Sequence, residues 1–172
     1  MAEPDYDEPD LPVPPAELVR THALCKARSV ASAPCDGPVI GVDTAVVLAD
    51  ATVLGKPPNA AEAREMLTRL AGREHRVLSG LAVLADGREL VGHAETVVRF
   101  RALTAAEIET YVAAGEWQGR AGAYAIQGLG AGLVTDVAGC YPNVVGLPVA
   151  LLVETLAAVG YPSLAGKPSV AG

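Results

Sequence analysis

The chain has 172 residues, of which 51% are hydrophobic and 19% are charged, and its 13 basic and 20 acidic side chains give a net charge of −7. This length and apolar content predict one folded domain with a substantial core. A negative chain lacks the cationic surface that binds nucleic-acid polymers, so we expect no such partner. No apolar run approaches the roughly 18 residues needed to cross a bilayer, so we expect no membrane partner either.

The cysteines and the N-terminus indicate a cytoplasmic protein. Cys25, Cys35 and Cys140 form no C-x-x-C pair and have no metal-like spacing with the three histidines. An odd number of cysteines is typical of reduced thiols. The first residues are acidic and rich in proline, unlike a signal peptide.

The domain is expected to span residues 1–172, with an extended lead-in at 1–14 and a flexible tail at 163–172. Residues 1–15 contain five prolines and five acidic side chains. Asp7 and Glu8 form a small carboxylate cluster within this lead-in, and solvated charge is its simplest interpretation.

Residues 39–48 (VIGVDTAVVL) are the central feature of the sequence. A short apolar run with turn residues on both sides predicts a buried strand. It carries one carboxylate, Asp43, and burying an unpaired carboxylate costs several kcal/mol or forces it to take up a proton. Asp43 must therefore lie at the edge of the strand, be paired, or coordinate a ligand.

The other elements follow from periodicity and from capping residues. Residues 15 to about 32 predict a helix whose buried face includes Leu18, Cys25 and Ala31. The remaining predictions are a helix at 60–71 capped by Asn59, a hairpin of strands 75–85 and 89–101 around Asp86-Gly87, a helix opened by a Thr104–Glu107 capping box, a strand at 133–137, a turn at 140–143 and a last helix from 146 to 160. The predicted fold class is α/β, a single domain with a mixed, twisted central β-sheet flanked by helices.

Several common catalytic motifs are absent from the sequence. It contains no dinucleotide-binding G-x-G-x-x-G after a strand, no P-loop, no H-E-x-x-H and no G-x-S-x-G. Ser79-Gly80 is interpreted as part of a strand. His22, His75 and His93 are isolated, and each is expected to be a solvated or core residue.

Carboxylates and lysines recur in separate segments, notably Glu8, Lys26, Asp43 and Lys56. Such residues suit Mg²⁺-assisted attack of water on a polyphosphate, because carboxylates hold metal or accept a proton and lysines neutralise developing charge. Surface ion pairs explain Glu8 and Lys26 equally well. Asp43 is the stronger candidate because its strand is apolar.

Four motifs then resemble the Maf (septum formation) family, in that family's order and at nearly its spacing. They are residues 41–44 (GVDT), 54–57 (LGKP), 121–128 (AGAYAIQG) and 143–148 (NVVGLP). Asp7-Glu8 and Lys26-Ala27 also match. The resemblance covers about residues 5–160 and implies a Maf-like α/β fold.

Membership of this family implies a nucleoside triphosphate pyrophosphatase, which releases a nucleoside monophosphate and pyrophosphate with a divalent metal, Mg²⁺ or Mn²⁺. The resemblance makes Asp43 the proton acceptor and, with Glu8, a metal ligand. It makes Lys26 and Lys56 phosphate-binding residues. Thr44 and Gln127 match positions of base preference, and a glutamine there resembles the dTTP/UTP branch. An amide offers both a donor and an acceptor to a pyrimidine edge. The family also tends to form homodimers.

The sequence departs from the family pattern in one major respect. The family's S-x-S-P-R-R loop, whose Ser and Arg side chains grip phosphates, is not found before residue 5. Smaller departures are Gly119 for Asp, Arg120 for Lys, Pro142 for Ser or Thr, and one residue inserted between the GVDT and LGKP motifs. Two explanations stay open: the native protein carries this loop upstream of residue 1, or the alternative function holds, a catalytically impaired nucleotide-binding or regulatory protein of the same fold.

Overall fold

The computed structural model describes residues 5–9, 11–31 and 37–161. These residues form five strands and five helices. The strands are β1 (Val39–Val47), β2 (Val53–Leu54), β3 (Glu74–Ala85), β4 (Arg88–Phe100) and β5 (Val134–Ala138). The helices are α1 (Pro15–Ala31), α2 (Ala60–Leu70), α3 (Ala105–Ala114), α4 (Tyr141–Val145) and α5 (Val149–Ala158). Two 3₁₀ segments, Ala121–Ala123 and Gly128–Leu133, lie between α3 and β5.

The strands form one sheet in the order β2-β1-β3-β4-β5, flanked by helices, which confirms the predicted α/β class. The predicted mixture of strand directions is corrected, since all four pairings of the described strands are antiparallel. The crossover through α2 joins β2 to β3, which run in the same direction. β1 lies between these two strands and pairs with both, so they do not pair with each other.

Helix α1 covers one face of the sheet at very short range. A Cβ added at Gly41 would lie 2.1 Å from the backbone oxygen of Ala23, and one at Gly80 would lie 2.0 Å from that of Val19. The residues of α1 that pack on the sheet are Val19, His22, Ala23 and Ala27. The predicted face is therefore wrong, because the side of α1 that carries Ala23 and Ala27 is the one whose backbone approaches the two glycines.

The opposite face carries the main core, which the other helices and the 3₁₀ segments cover. Leu67 and Leu70 of α2, together with Ile108 and Val112 of α3, pack there around Phe100. Helix α5 packs on the far end of the same face through its leucines. Because strand side chains alternate between faces, neighbouring residues of β1 contact different layers.

Local signals placed most boundaries correctly. Asn59 caps α2 by accepting a hydrogen bond from the backbone of Glu62, and Thr104 and Glu107 form the predicted capping box. Asp86 and Gly87 both have positive φ in the tight turn between β3 and β4, as predicted.

The segment predicted as a turn at 140–143 is instead the start of the five-residue helix α4. Pro142 occupies a first-turn position, which a helix tolerates, so it does not prevent this turn of helix. The buried side chain of Asn143 anchors α4 to the sheet.

Among the described residues, no helix combines the length and apolar composition that crossing a bilayer requires. Residues 5–9 and 11–14 of the predicted lead-in form no helix or strand. The predicted tail at 163–172, and residues 1–4 and 10 of the lead-in, lie outside the described residues.

Candidate active site

A cavity of about 630 Å³ lies at the outer edge of β1. Only Val46 and Val47 of this strand pair with β2, so within the described chain residues 39–45 have no strand partner on that side. Asp43 and Thr44 both line the cavity, although they point to opposite faces of the sheet. The cavity therefore reaches both faces around the edge of one strand.

On the α1 side, one ammonium group joins two carboxylates. Lys26 Nζ lies 2.6 Å from Asp43 Oδ1 and 2.6 Å from Glu8 Oε1. Asp43 is only 8% exposed, so its charge needs this partner. The buried carboxylate of β1 is thus paired, and the lead-in contributes Glu8 to the same cluster.

These contacts perturb the pKa values of both Lys26 and Glu8. Burial by itself would lower the pKa of the Lys26 ammonium, but its hydrogen bonds to Asp43 and Glu8 outweigh burial and raise that pKa. Burial would raise the pKa of Glu8, yet the hydrogen bond and charge of Lys26 lower it. Both shifts favour the charged forms of Lys26 and Glu8 around neutral pH.

His22 belongs to this cluster, so its predicted isolation is wrong. Its ring is 5% exposed, and Nδ1 lies 3.6 Å from Asp43 Oδ2. On the other side of the ring, Nε2 is 3.2 Å from the backbone oxygen of Pro9. Because that carbonyl can only accept, Nε2 donates to it, and Nδ1 is the ring nitrogen that faces the Asp43 carboxylate.

The donor atoms of the cluster fit a small divalent cation. Glu8, His22 and Asp43 each offer one ligand atom, and these atoms lie within 4.8 Å of one another. Two of the three are carboxylate oxygens, which Mg²⁺ and Mn²⁺ accept readily. The predicted ligands Glu8 and Asp43 are thus close enough to share one ion.

On the other face, Thr44 belongs to a buried chain of hydrogen bonds. Its Oγ1 lies 2.8 Å from Oγ of Ser79, which donates at 3.3 Å to the backbone oxygen of Asn143. The amide of Asn143 donates in turn to the backbone of Val77 and the hydroxyl of Thr96, each at 3.0 Å. The network connects the Thr44 side chain of β1 to β3 and α4.

Gln127 lines the same cavity on the glycine-rich segment (residues 119–132), and Glu116 holds that segment in place. The Glu116 carboxylate accepts hydrogen bonds from the backbone N–H groups of Leu129 and Gly130, at 3.1 and 3.2 Å. Gly128 has a φ of +66°, and a Cβ there would approach the carboxylate to 2.7 Å. The backbone conformation therefore favours glycine at 128, and a Cβ there would displace the Glu116 carboxylate.

Two further cations, Lys56 and Arg120, line the cavity. Within the described part of the chain neither forms an ion pair, so both side chains can meet an anionic ligand. The segment that carries Lys56 is tied to the glycine-rich segment, because the backbone N–H of Gly122 donates to Gly55 at 3.0 Å. A Cβ on Gly122 would meet the side chain of Val46 at 2.9 Å.

The structure brings every predicted site residue to one cavity. These residues are Glu8, Lys26, Asp43, Thr44, Lys56 and Gln127. Sequence reasoning missed His22, Ser79 and Glu116, whose importance depends on partners distant in the chain. Of these, Ser79 was interpreted only as part of a strand, and it does lie in β3. His75 and His93 are a core and an exposed residue, as predicted.

Comparisons with known proteins show the family of this chain. The profile of the family described as "Maf-like protein" matches residues 1–159. A protein of Symbiobacterium thermophilum named dTTP/UTP pyrophosphatase is 48% identical over 167 residues, covering 96% of this chain and 86% of that one. Proteins of the same name are 50% identical in Syntrophotalea carbinolica (90% and 73% covered) and 51% identical in Moorella thermoacetica (86% and 77% covered). The chain therefore belongs to the Maf family.

Proposed function

We propose that this chain is a nucleoside triphosphate pyrophosphatase that hydrolyses dTTP and UTP to the nucleoside monophosphate and pyrophosphate. One observation carries the proposal. A carboxylate bonded to a lysine, two further cations and two base-selecting candidates line a single cavity. The relatives named dTTP/UTP pyrophosphatase, at 48–51% identity, support the choice of substrate.

In the proposed reaction, Asp43 accepts a proton from the attacking water. The water oxygen forms a bond to the α-phosphorus, the bond between that phosphorus and the bridging oxygen breaks, and pyrophosphate leaves. Lys26 lies 2.6 Å from the Asp43 carboxylate and so orients the base, and it also has the phosphate-binding role that the family resemblance implies. Lys56 and Arg120 line the cavity and neutralise charge on the phosphates.

A divalent metal cofactor is part of the proposed function. Mg²⁺ or Mn²⁺ would be held by Glu8 and Asp43, whose oxygens lie within ligand reach of each other. When bound, the ion would supply charge neutralisation on the phosphates and a more acidic water. At the base end of the cavity, Thr44 and the amide of Gln127 contact the pyrimidine edge.

We also propose a cellular location and an assembly state. A cytoplasmic enzyme is supported by Cys25 and Cys140, which are free thiols. A homodimer stays a prediction from the family resemblance, and light scattering during size-exclusion chromatography tests it.

The decisive experiment measures pyrophosphate release from dTTP, UTP, CTP and GTP with Mg²⁺ or Mn²⁺. We expect turnover of dTTP and UTP, and a loss of about 10²–10⁴-fold in kcat for Asp43→Asn, because a general base contributes that much. Asp86→Asn is the matched control, since Asp86 lies in the exposed turn after β3. Equal rates for the Asp43 variant and the natural chain would contradict the proposed role of Asp43 as the proton acceptor. Nucleotide binding without any turnover would support the impaired alternative.

A further inference from the structure

We infer that Ser79 sets the base preference of the site, by fixing the direction of the hydrogen bond that it shares with Thr44. In this arrangement Thr44 offers the substrate a hydrogen-bond acceptor and no donor. This inference rests on the proposed function. The feature of the base that the site selects is a ring N–H group. Uracil and thymine carry that group, and cytosine lacks it at the same ring position.

The two hydroxyls are held face to face. Ser79 of β3 lies directly opposite Thr44 of β1 in the register of the sheet. Its side chain has no exposed surface, so solvent offers it no alternative partner. Its Oγ has two neighbours within hydrogen-bond distance, Thr44 Oγ1 at 2.8 Å and the backbone oxygen of Asn143 at 3.3 Å.

Counting protons decides the direction. A serine hydroxyl has one proton, and a backbone carbonyl can only accept. If Ser79 donates to Asn143, Thr44 donates to Ser79 and both hydrogen bonds form. If Ser79 donates to Thr44 instead, the contact with Asn143 has no proton and one hydrogen bond is lost. The first arrangement is favoured because it satisfies more of the buried polar groups.

The backbone oxygen of Asn143, which accepts the hydrogen bond from Ser79, is held in place by buried contacts. The side-chain amide of Asn143 is fully buried and donates to the backbone oxygen of Val77 and to Oγ1 of Thr96. Thr96 also bonds both backbone groups of Cys140, the residue before α4. The carbonyl that Ser79 contacts is therefore anchored to two central strands.

The direction of this hydrogen bond determines what Thr44 offers to a ligand in the cavity. With its proton committed to Ser79, the Thr44 oxygen presents only lone pairs to a ligand. An acceptor attracts the N–H at ring position 3 of uracil or thymine. It repels cytosine, which presents an unprotonated nitrogen at that position. A buried polar group left without its partner is what makes such discrimination large.

The test measures binding and turnover together. Calorimetry gives the Kd of α,β-methylene analogues of UTP and CTP, which the proposed activity cannot cleave, and steady-state assays give kcat and KM for UTP and CTP. Ser79→Ala frees the Thr44 hydroxyl to turn its proton toward the ligand. We expect the preference for the UTP analogue over the CTP analogue to fall about tenfold, and the change in turnover to lie in KM.

Two further variants separate this role from simple packing. Thr155→Val removes a hydroxyl of α5 that donates to the backbone oxygen of Leu151, outside this network, so it should leave the UTP/CTP ratio unchanged. Thr44→Val keeps the shape of the side chain and removes the acceptor. It should weaken the UTP analogue about tenfold while sparing the CTP analogue, and it decides the question if Ser79→Ala fails to fold.

Two results would overturn the inference: a Ser79→Ala variant that weakens both analogues equally, or a natural chain that binds both analogues equally. If the natural chain prefers the UTP analogue but releases no pyrophosphate, the proposed activity fails. The binding ratios of the variants then still decide the role of Ser79.

Discussion

Asp43 and Thr44 are consecutive residues of β1, and their side chains enter the same cavity from opposite faces of the sheet. Asp43 bonds Lys26 of α1, whereas Thr44 bonds Ser79 on the far face. Because side chains alternate along a strand, these two adjacent residues have different partners on the two faces of the sheet. Under the proposed function, a nucleotide bound around this strand edge has its phosphates on one side and its base on the other.

The link between Lys26 and Asp43 predicts a large cost for removing the ammonium. Lys26→Met keeps the aliphatic stem but leaves the buried Asp43 carboxylate without its cation. We expect the free energy of unfolding at pH 7 to fall by about 2–4 kcal/mol, as measured by urea denaturation. Arg28→Met breaks the exposed pair with Glu89 and is the matched control, for which we expect little change. Similar losses in the two variants would contradict the structural role given to Lys26.

Close packing of α1 predicts that Gly80 tolerates no side chain. A Cβ at this position would lie 2.0 Å from the backbone oxygen of Val19, which cannot move without displacing the helix. We expect Gly80→Ala to lower the free energy of unfolding by about 3 kcal/mol or more. Gly132→Ala is the control, because nothing lies within 4 Å of the added Cβ. A Gly80 variant as stable as the Gly132 variant would contradict this packing.

The same glycines show why sequence patterns identified most elements but not the buried face of α1. The caps at Asn59 and Thr104 and the turn at Asp86-Gly87 are local, so their signals lie within four residues. The face of α1 is set by Gly41 and Gly80, which are distant in the chain. Periodicity of large apolar residues cannot report a contact that selects alanine.

The site residues also divide into those that the sequence predicts and those that it does not. Asp43, Thr44, Lys56 and Gln127 were predictable because each lies within a short motif. His22 and Glu116 act through partners that only the fold brings close, Asp43 for the first and Gly130 for the second. No local pattern distinguishes such residues from ordinary helix or loop positions, so the supporting contacts of a site are harder to predict than its motifs.

Buried His75 predicts a pH dependence of stability. Its ring shares a 2.8 Å hydrogen bond with Tyr124, and burial lowers the pKa of His75 to about 4, whereas an unfolded histidine titrates near 6.5. Between these values the unfolded chain binds more protons, so stability rises with pH and is lost as pH falls from about 6.5 to about 4. At pH 5.5 the loss relative to pH 7.5 is about 1 kcal/mol.

Urea denaturation at several pH values between 4.5 and 7.5 measures this contribution. His75→Gln cannot titrate, so its stability should vary less across the window by about that amount. His93→Gln is the control for the loss of an imidazole, since His93 is exposed on β4 and not in the core. An identical pH dependence in the natural chain and in His75→Gln would show that another group is responsible.

The clamp between Glu116 and the glycine-rich segment predicts a variant with weaker substrate binding. Glu116 accepts hydrogen bonds from two successive backbone N–H groups, of Leu129 and Gly130, just after Gln127. An ionised carboxylate can accept both, but in Glu116→Gln one N–H faces an amide NH₂, which cannot accept. The segment should loosen, and hydrogen exchange at Leu129 and Gly130 should accelerate about tenfold.

A loosened segment should also present the Gln127 amide less accurately to the base. We therefore expect KM for dTTP and UTP to rise about three- to tenfold in Glu116→Gln, with a smaller effect on kcat. Glu109→Gln is the matched control, because Glu109 lies on α3 and pairs at the surface with Arg64. If exchange at Leu129 and Gly130 accelerates while KM stays constant, the clamp stabilises the fold without positioning Gln127. If exchange does not change, Glu116 is not the residue that holds this segment.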